Sequence, residues 1–159
     1  MTQTSEMPVP KPALVRAVWK GDRRFDTGKP NGPTALIDGD GIAGQSPPEA
    51  LLSALTTCSG VDLVDYLAKR RTPVETLTMD VSGLRRTEFP RRFEHITITF
   101  TITGAGIDLE HAERSVRLSF ERYCTVAATL APDVEFHTIV VLNGQSGATV
   151  RQPNFTEAR

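Results

Sequence analysis

Much of what a sequence can advertise is scarce here. The chain of 159 residues has two cysteines, one tryptophan and two tyrosines, and aromatic residues make up 6% of it. Two cysteines exclude a disulfide-stapled scaffold. Neither sign of charge dominates: 18 basic side chains face 19 acidic ones, for a formal net charge of -1. No positive potential is left over to draw in nucleic acid or an anionic membrane. The longest uncharged apolar run falls well short of the roughly 20 residues of a membrane span. The opening MTQTSEMPVPKP lacks the basic start and apolar centre of a signal peptide. A cytoplasmic protein that binds neither nucleic acid nor membrane is expected. The chain also has no phosphate-binding glycine loop and no Ser-His-Asp spacing. His95, His111 and His137 stand on separate segments without ligand-like spacing, as surface or sheet-face histidines do.

What is present suits one compact domain over residues 1–159. The hydrophobic share of 39% is lean for a self-sufficient monomer, which points to further burial against a second copy. Residues 1–12 read as a loose tail and 144–159 as a mobile end. Ala13, Val15, Ala17 and Trp19 alternate with polar residues, predicting a half-buried strand. Further strands are expected over Arg23–Thr27 and Thr34–Asp38. The following IDGDGIAGQ lacks the closing glutamate of a calcium loop. Ser46-Pro47-Pro48-Glu49 is a helix start, with a serine cap, prolines in the first turn and an early acid. The helix continues to Lys69, with Gly60 inside it predicting close packing against another backbone.

Leu77, Met79 and Val81 predict one strand and Ile96, Ile98, Phe100 and Ile102 the clearest one, joined by a hairpin at EFPRRF. Asp108 caps a second helix with Ala112, Val116, Phe120 and Tyr123 on one face. A short helical continuation, Thr125–Ala131, precedes a last strand over Phe136–Leu142. The order of elements predicts an α+β layout, helices packed on antiparallel sheet.

In a reducing compartment Cys58 and Cys124 are either inert core thiols or redox-active ones. Thiol chemistry requires a thiolate, and a second thiol near enough to resolve the oxidised first. Cys58 lies deep in the first helix, where desolvation raises its pKa. Cys124 follows the second helix and precedes TVAATLA, so a helix N-terminus there favours its thiolate. Packing the two helices together brings the sulfurs near one another. Asp62, one turn after Cys58, opposes ionisation of the thiol unless an arginine lies between them, from this chain or a partner.

Three ordered blocks carry a resemblance. Ser46-Pro47-Pro48-Glu49-Ala50-Leu51-Leu52 with Cys58 nine residues after the glutamate is similar to the first cysteine motif of OsmC-like proteins. Phe89-Pro90-Arg91-Arg92-Phe93 running into His95-Ile96-Thr97-Ile98, and Glu121-Arg122-Tyr123-Cys124-Thr125-Val126-Ala127, resemble the later blocks. The resemblance spans roughly Ala13 to Leu142. It implies an intertwined α+β homodimer, with antiparallel sheets packed on two central helices and active sites at the subunit interface. It also implies hydroperoxide reduction without metal or flavin. Cys58 would attack the peroxide, Cys124 would resolve the product, and an external dithiol would restore both.

In the organic-hydroperoxide branches an acid ten residues before the first cysteine pairs with an arginine. That position is Pro48 here. Glu49 stands one place later, about 100° around the helix, and is the candidate acid. Arg24, with Arg23 beside it, is the candidate cation; Arg91 and Arg92 are alternatives from a loop. The chain therefore resembles a shorter branch of the family.

Plain structural roles compete with these assignments. Glu49 is equally a first-turn helix stabiliser. The doublets Arg23-Arg24, Arg70-Arg71, Arg85-Arg86 and Arg91-Arg92 are characteristic of solvated loop ends. Trp19 suits a core or dimer anchor. A non-enzymatic module that binds an apolar small molecule, with the cysteines lining its cavity, is the rival function. A redox sensor or a hydrolase on the same scaffold is the third.

Overall fold

The computed structural model describes residues 10–155. The expected loose tail over residues 1–12 thus lies mostly outside the described residues. Two compact units make up the chain, Met1–Ala50 and Leu51–Arg159.

In the first unit, β1 (Arg16–Trp19), β2 (Arg24–Gly28) and β3 (Thr34–Asp38) form an antiparallel sheet in sequence order. Gly21 and Asp22, both at positive φ, turn β1 into β2. The β1 strand was expected to be half-buried, but all four of its residues are exposed. Alternation gave it an apolar face, and among the described residues nothing covers that face.

The helix α1 (Pro47–Lys69) starts where the serine–proline signal puts it. Its buried residues Leu52, Leu55, Thr56, Ser59, Gly60, Leu63 and Leu67 recur at steps of three and four, the stripe that turns one helix face to a core. By length and composition α1 could also cross a membrane, but Leu55, Leu63 and Leu67 have no exposed surface, as in a core helix. Gly60 departs from expectation in its partner. A β-carbon there would stand 2.7 Å from Met79 Sδ, so the close neighbour is a side chain and not a backbone.

In the second unit, β4 (Thr76–Arg85) and β5 (Phe93–Thr103) form an antiparallel hairpin. The buried residues of β5, Phe93, Ile96, Ile98, Phe100 and Ile102, face the core. The next strand, β6 (Glu135–Leu142), runs parallel to β5, a departure from the antiparallel layout expected throughout. A parallel neighbour requires a long crossover, and the chain between the two strands is helical. It contains α2 (Leu109–Leu118), a π-turn over Ser119–Tyr123 and α3 (Thr125–Thr129).

Asp108 caps α2, its carboxylate accepting the His111 amide at 2.8 Å. Phe120 and Phe136 pack with ring centroids 5.2 Å apart, joining the crossover to β6. The end of the chain, expected as a mobile tail, carries β7 (Gln145–Ser146) and β8 (Val150–Gln152), which both pair with β6.

Candidate functional site

Cys58 sits in the fourth turn of α1, between exposed Thr57 and buried Ser59. Deep burial was expected, but the residue is only partly buried. Cys124 is fully buried and forms the N-cap of α3. Both are free thiols, and Cys58 lies near enough to Cys124 to raise its pKa. Two cysteines 66 positions apart in sequence are therefore neighbours in the fold.

The π-turn is what aims Cys124. An uninterrupted α-helix would bond the amide of Cys124 to the carbonyl of residue 120. Instead that amide donates to Ser119 O at 2.8 Å, a ring one residue wider. The extra residue rotates the downstream chain by about 100° relative to an uninterrupted helix. Tyr123, expected on the apolar face with Phe120, is consequently 60% exposed, while Cys124 is turned into the core.

The electrostatics of Cys124 also depart from expectation. The start of α3 does help its sulfur, which accepts the Ala127 amide at 3.4 Å. Burial is the larger influence, however, and with the neighbouring Cys58 thiol it pushes the pKa of Cys124 from 9.0 up to about 12. A five-residue helix does not offset the loss of water around the sulfur. Cys124 is a neutral thiol at physiological pH.

Asp62, one turn beyond Cys58 on α1, was expected to meet an arginine. Among the described residues of the chain it forms no ion pair, and the buried hydroxyl of Ser119 donates to Asp62 Oδ2 at 2.6 Å. Ser119 and the π-turn were not read from the sequence. The only available signal was the unexplained carboxylate at Cys58 plus four.

Glu49 and Arg24 lie in the first unit, each with local partners. Glu49 Oε2 accepts both the amide and the hydroxyl of Ser46 at 2.7 Å, a helix-start clasp in which the acid reaches back over the first turn. Arg24 pairs in register with Asp38 on β3. The Asp38 carboxylate accepts amides from Ala43 at 2.9 Å, Asp40 at 3.1 Å and Ile42 at 3.3 Å. The Ala43 and Asp40 amides foremost, with the Arg24 charge adding to them, hold its carboxyl below the usual range. The glycine-rich loop is thus organised around its own aspartate. Arg23 pairs with Asp40 at 2.7 Å. On the β4–β5 hairpin Arg92 clasps Asp133, with Nη1 to Oδ1 at 3.0 Å, and Arg91 covers the Phe89 ring at 4.8 Å.

On the side of α1 toward β4, next in sequence to Cys58, Thr57, Val61, Val64, Leu77 and Met79 line an apolar groove of about 370 Å³. Val61 is 60% exposed.

Residues 38–138 match the OsmC-like protein family. Protein YhfA of Escherichia coli K12 is 36% identical over 116 residues, spanning 72% of this chain and 87% of YhfA. A hypothetical protein of Aquifex aeolicus VF5 superposes with a TM-score of 0.75 at 25% identity, covering 84% of this chain and 98% of its own. The organic hydroperoxide resistance protein OhrB of Bacillus subtilis shares the fold at a TM-score of 0.53 and 19% identity, covering 84% and 98%. With its α+β architecture and a family match that takes in the first cysteine, the second cysteine and the crossover between them, this chain belongs to the OsmC-like family.

Proposed function

We propose that the protein is a thiol-dependent peroxidase, with Cys58 as the attacking thiol and Cys124 as the resolving one. The proximity of a partly exposed thiol to a fully buried one carries this reading. Peroxide reaches the first from solvent, and the second is already beside it.

The Cys58 thiolate attacks one peroxide oxygen, the O–O bond breaks, and the other oxygen leaves as an alcohol after taking a proton. Cys58 becomes a sulfenic acid. Cys124 sulfur then attacks Cys58 sulfur; its hydrogen departs with the sulfenic oxygen as water, and a disulfide remains. The attacking form is the thiolate, so Cys124 gives up its proton to the sulfenic oxygen as the S–S bond forms. An external dithiol supplies two electrons and two protons to restore both thiols. A cytoplasmic setting belongs to the proposal, because the cycle needs such a reductant.

A homodimer is part of the same reading. Leu14, Val15, Val18 and Trp19 are exposed along β1 and the residues before it, with Trp19 at 65%. Trp19 is therefore not a core anchor within one chain, and a second copy would cover this face. In this reading the partner also supplies the cation that Cys58 needs, since among the described residues of the chain no ion pair reaches Asp62 beside it.

Steady-state turnover with tert-butyl hydroperoxide and dithiothreitol tests the assignment. Cys58→Ser should abolish turnover. Cys124→Ser should be limited to one oxidation per site when dithiol is scarce. Rapid turnover by the Cys58 variant refutes the assignment.

The apolar groove lined by Thr57, next in sequence to Cys58, supports a second reading, a module that binds an apolar small molecule without chemistry. Intact mass after one equivalent of hydroperoxide separates the two. Loss of two hydrogens indicates the disulfide, and an unchanged mass favours the module.

A further inference from the structure

We propose that Asp62 and Ser119 are a positioning pair that keeps Cys124 against Cys58 while the disulfide forms. This inference rests on the thiol reading above and assigns the control of its second step.

Ser119 is joined to both halves of the site. Its hydroxyl donates to Asp62 on α1, one turn from Cys58, at 2.6 Å. Its carbonyl accepts the amide of Cys124 at 2.8 Å. One residue thus ties the helix of the first thiol to the backbone of the second. The tie closes on the π-turn, a ring type that is rare and occurs mostly as a single turn within α-helices. An α-turn in its place would direct Cys124 about 100° away from its present heading.

The chemistry of Asp62 agrees with this role. A carboxylate four residues after a working thiol disfavours the thiolate. Its place there is explained by what it holds. Ser119 has no exposed surface, so its bond to the Asp62 carboxyl is made away from competing water. Neither group touches the peroxide oxygen in the scheme above; each acts through the position of Cys124.

Two readouts test the pair in the full chain. After one equivalent of tert-butyl hydroperoxide, dimedone trapping followed by mass spectrometry gives the lifetime of the Cys58 sulfenic acid. The disulfide, formed separately with diamide, is equilibrated against dithiothreitol to give its reduction equilibrium without any peroxide. Ser119→Ala and Asp62→Ala should lengthen the sulfenic acid lifetime by about tenfold and shift the equilibrium toward the dithiol by a similar factor, as expected for one lost hydrogen bond. Asp62→Asn is isosteric and its amide oxygen still accepts from Ser119, so it should show a smaller effect of about threefold. That graded recovery would not arise from general loosening of the core. Should an alanine variant fail to fold, the asparagine variant carries the test.

The pair is refuted if the variants stay within about twofold of wild type in both readouts. It is equally refuted if the effect falls only on oxidation of Cys58. A wild-type protein that peroxide leaves unoxidised refutes the peroxidase reading instead, and the dithiothreitol equilibrium still reports on the pair.

Discussion

Cys124 should be one of the least reactive cysteines a folded protein can present, and Cys58→Ser isolates it for measurement. Burial is the first cause of its high pKa and remains in the variant, while the smaller contribution of the Cys58 thiol is removed. A thiol at about 12 in place of 9.0 carries roughly a thousandfold less thiolate at any pH below 9. Access adds to this, because the residue has no exposed surface. Iodoacetamide labelling at pH 8, followed by intact mass, should therefore run at least about a hundredfold slower in the folded variant than in the same protein in urea. The stability of the variant supplies a second readout. The folded thiol keeps its proton between pH 9 and about 12, where the unfolded one loses it. This contribution is fully present below pH 9 and is lost as the pH rises toward 12, so the urea midpoint should fall across that window more steeply than in Cys58→Ser/Cys124→Ala. Labelling of the folded variant within about tenfold of the unfolded rate would refute the argument that burial governs this sulfur.

The packing has other measurable consequences. Asp38 is held below its unfolded value of 3.8 by amides of its own loop, so its contribution is present above that pH and lost as the pH falls through the folded value. Asp38→Asn should flatten the acid limb of stability measured by circular dichroism; an unchanged limb contradicts the loop's dependence on its aspartate. Phe120→Ala removes a ring packed on Phe136 in a fully enclosed position and should cost about 3–5 kcal/mol by urea denaturation. Gly60→Val drives a branched side chain against Met79 and should cost about 1–3 kcal/mol. A neutral result there would mean the Met79 tip swings aside freely.

The turn-rich GKPNGP and the glycine-rich loop after it bounded β3 at Thr34–Asp38, and the apolar runs of β5 and β6 were found within a few residues because each of those two strands buries one whole face. Serine, prolines and an acid marked the start of α1 for an equally local reason. The features that escaped are those decided by distant partners. Nothing in Phe136–Leu142 says whether its neighbour runs parallel or antiparallel, and strands of two or three residues such as β7 and β8 are too short to alternate. At the site, both cysteines and their proximity were legible. The state of Cys124 was not, because helix position and burial act in opposite directions and only the structure shows which is larger. Nor does any residue in SFERY announce a widened turn; Ala112, Val116 and Phe120 predict a helix that continues through Tyr123.

The parallel alignment of β5 and β6 governs how the molecule can vary in length. Cys124 rides on the segment that must return from the end of one strand to the beginning of the next, and that segment is fastened near both ends. Asn143 bonds Gly104 through both its oxygen and its nitrogen, and Asn154 and Arg92 hold Pro132 and Asp133. Residues added at Thr87 or Glu88, at the tip of the β4–β5 turn and short of Arg92, would leave the sulfurs where they are. One residue added between Gly104 and Pro132 has no slack to enter and must displace the second sulfur along its helix. Natural relatives should therefore differ in size at that turn and agree in size across the return.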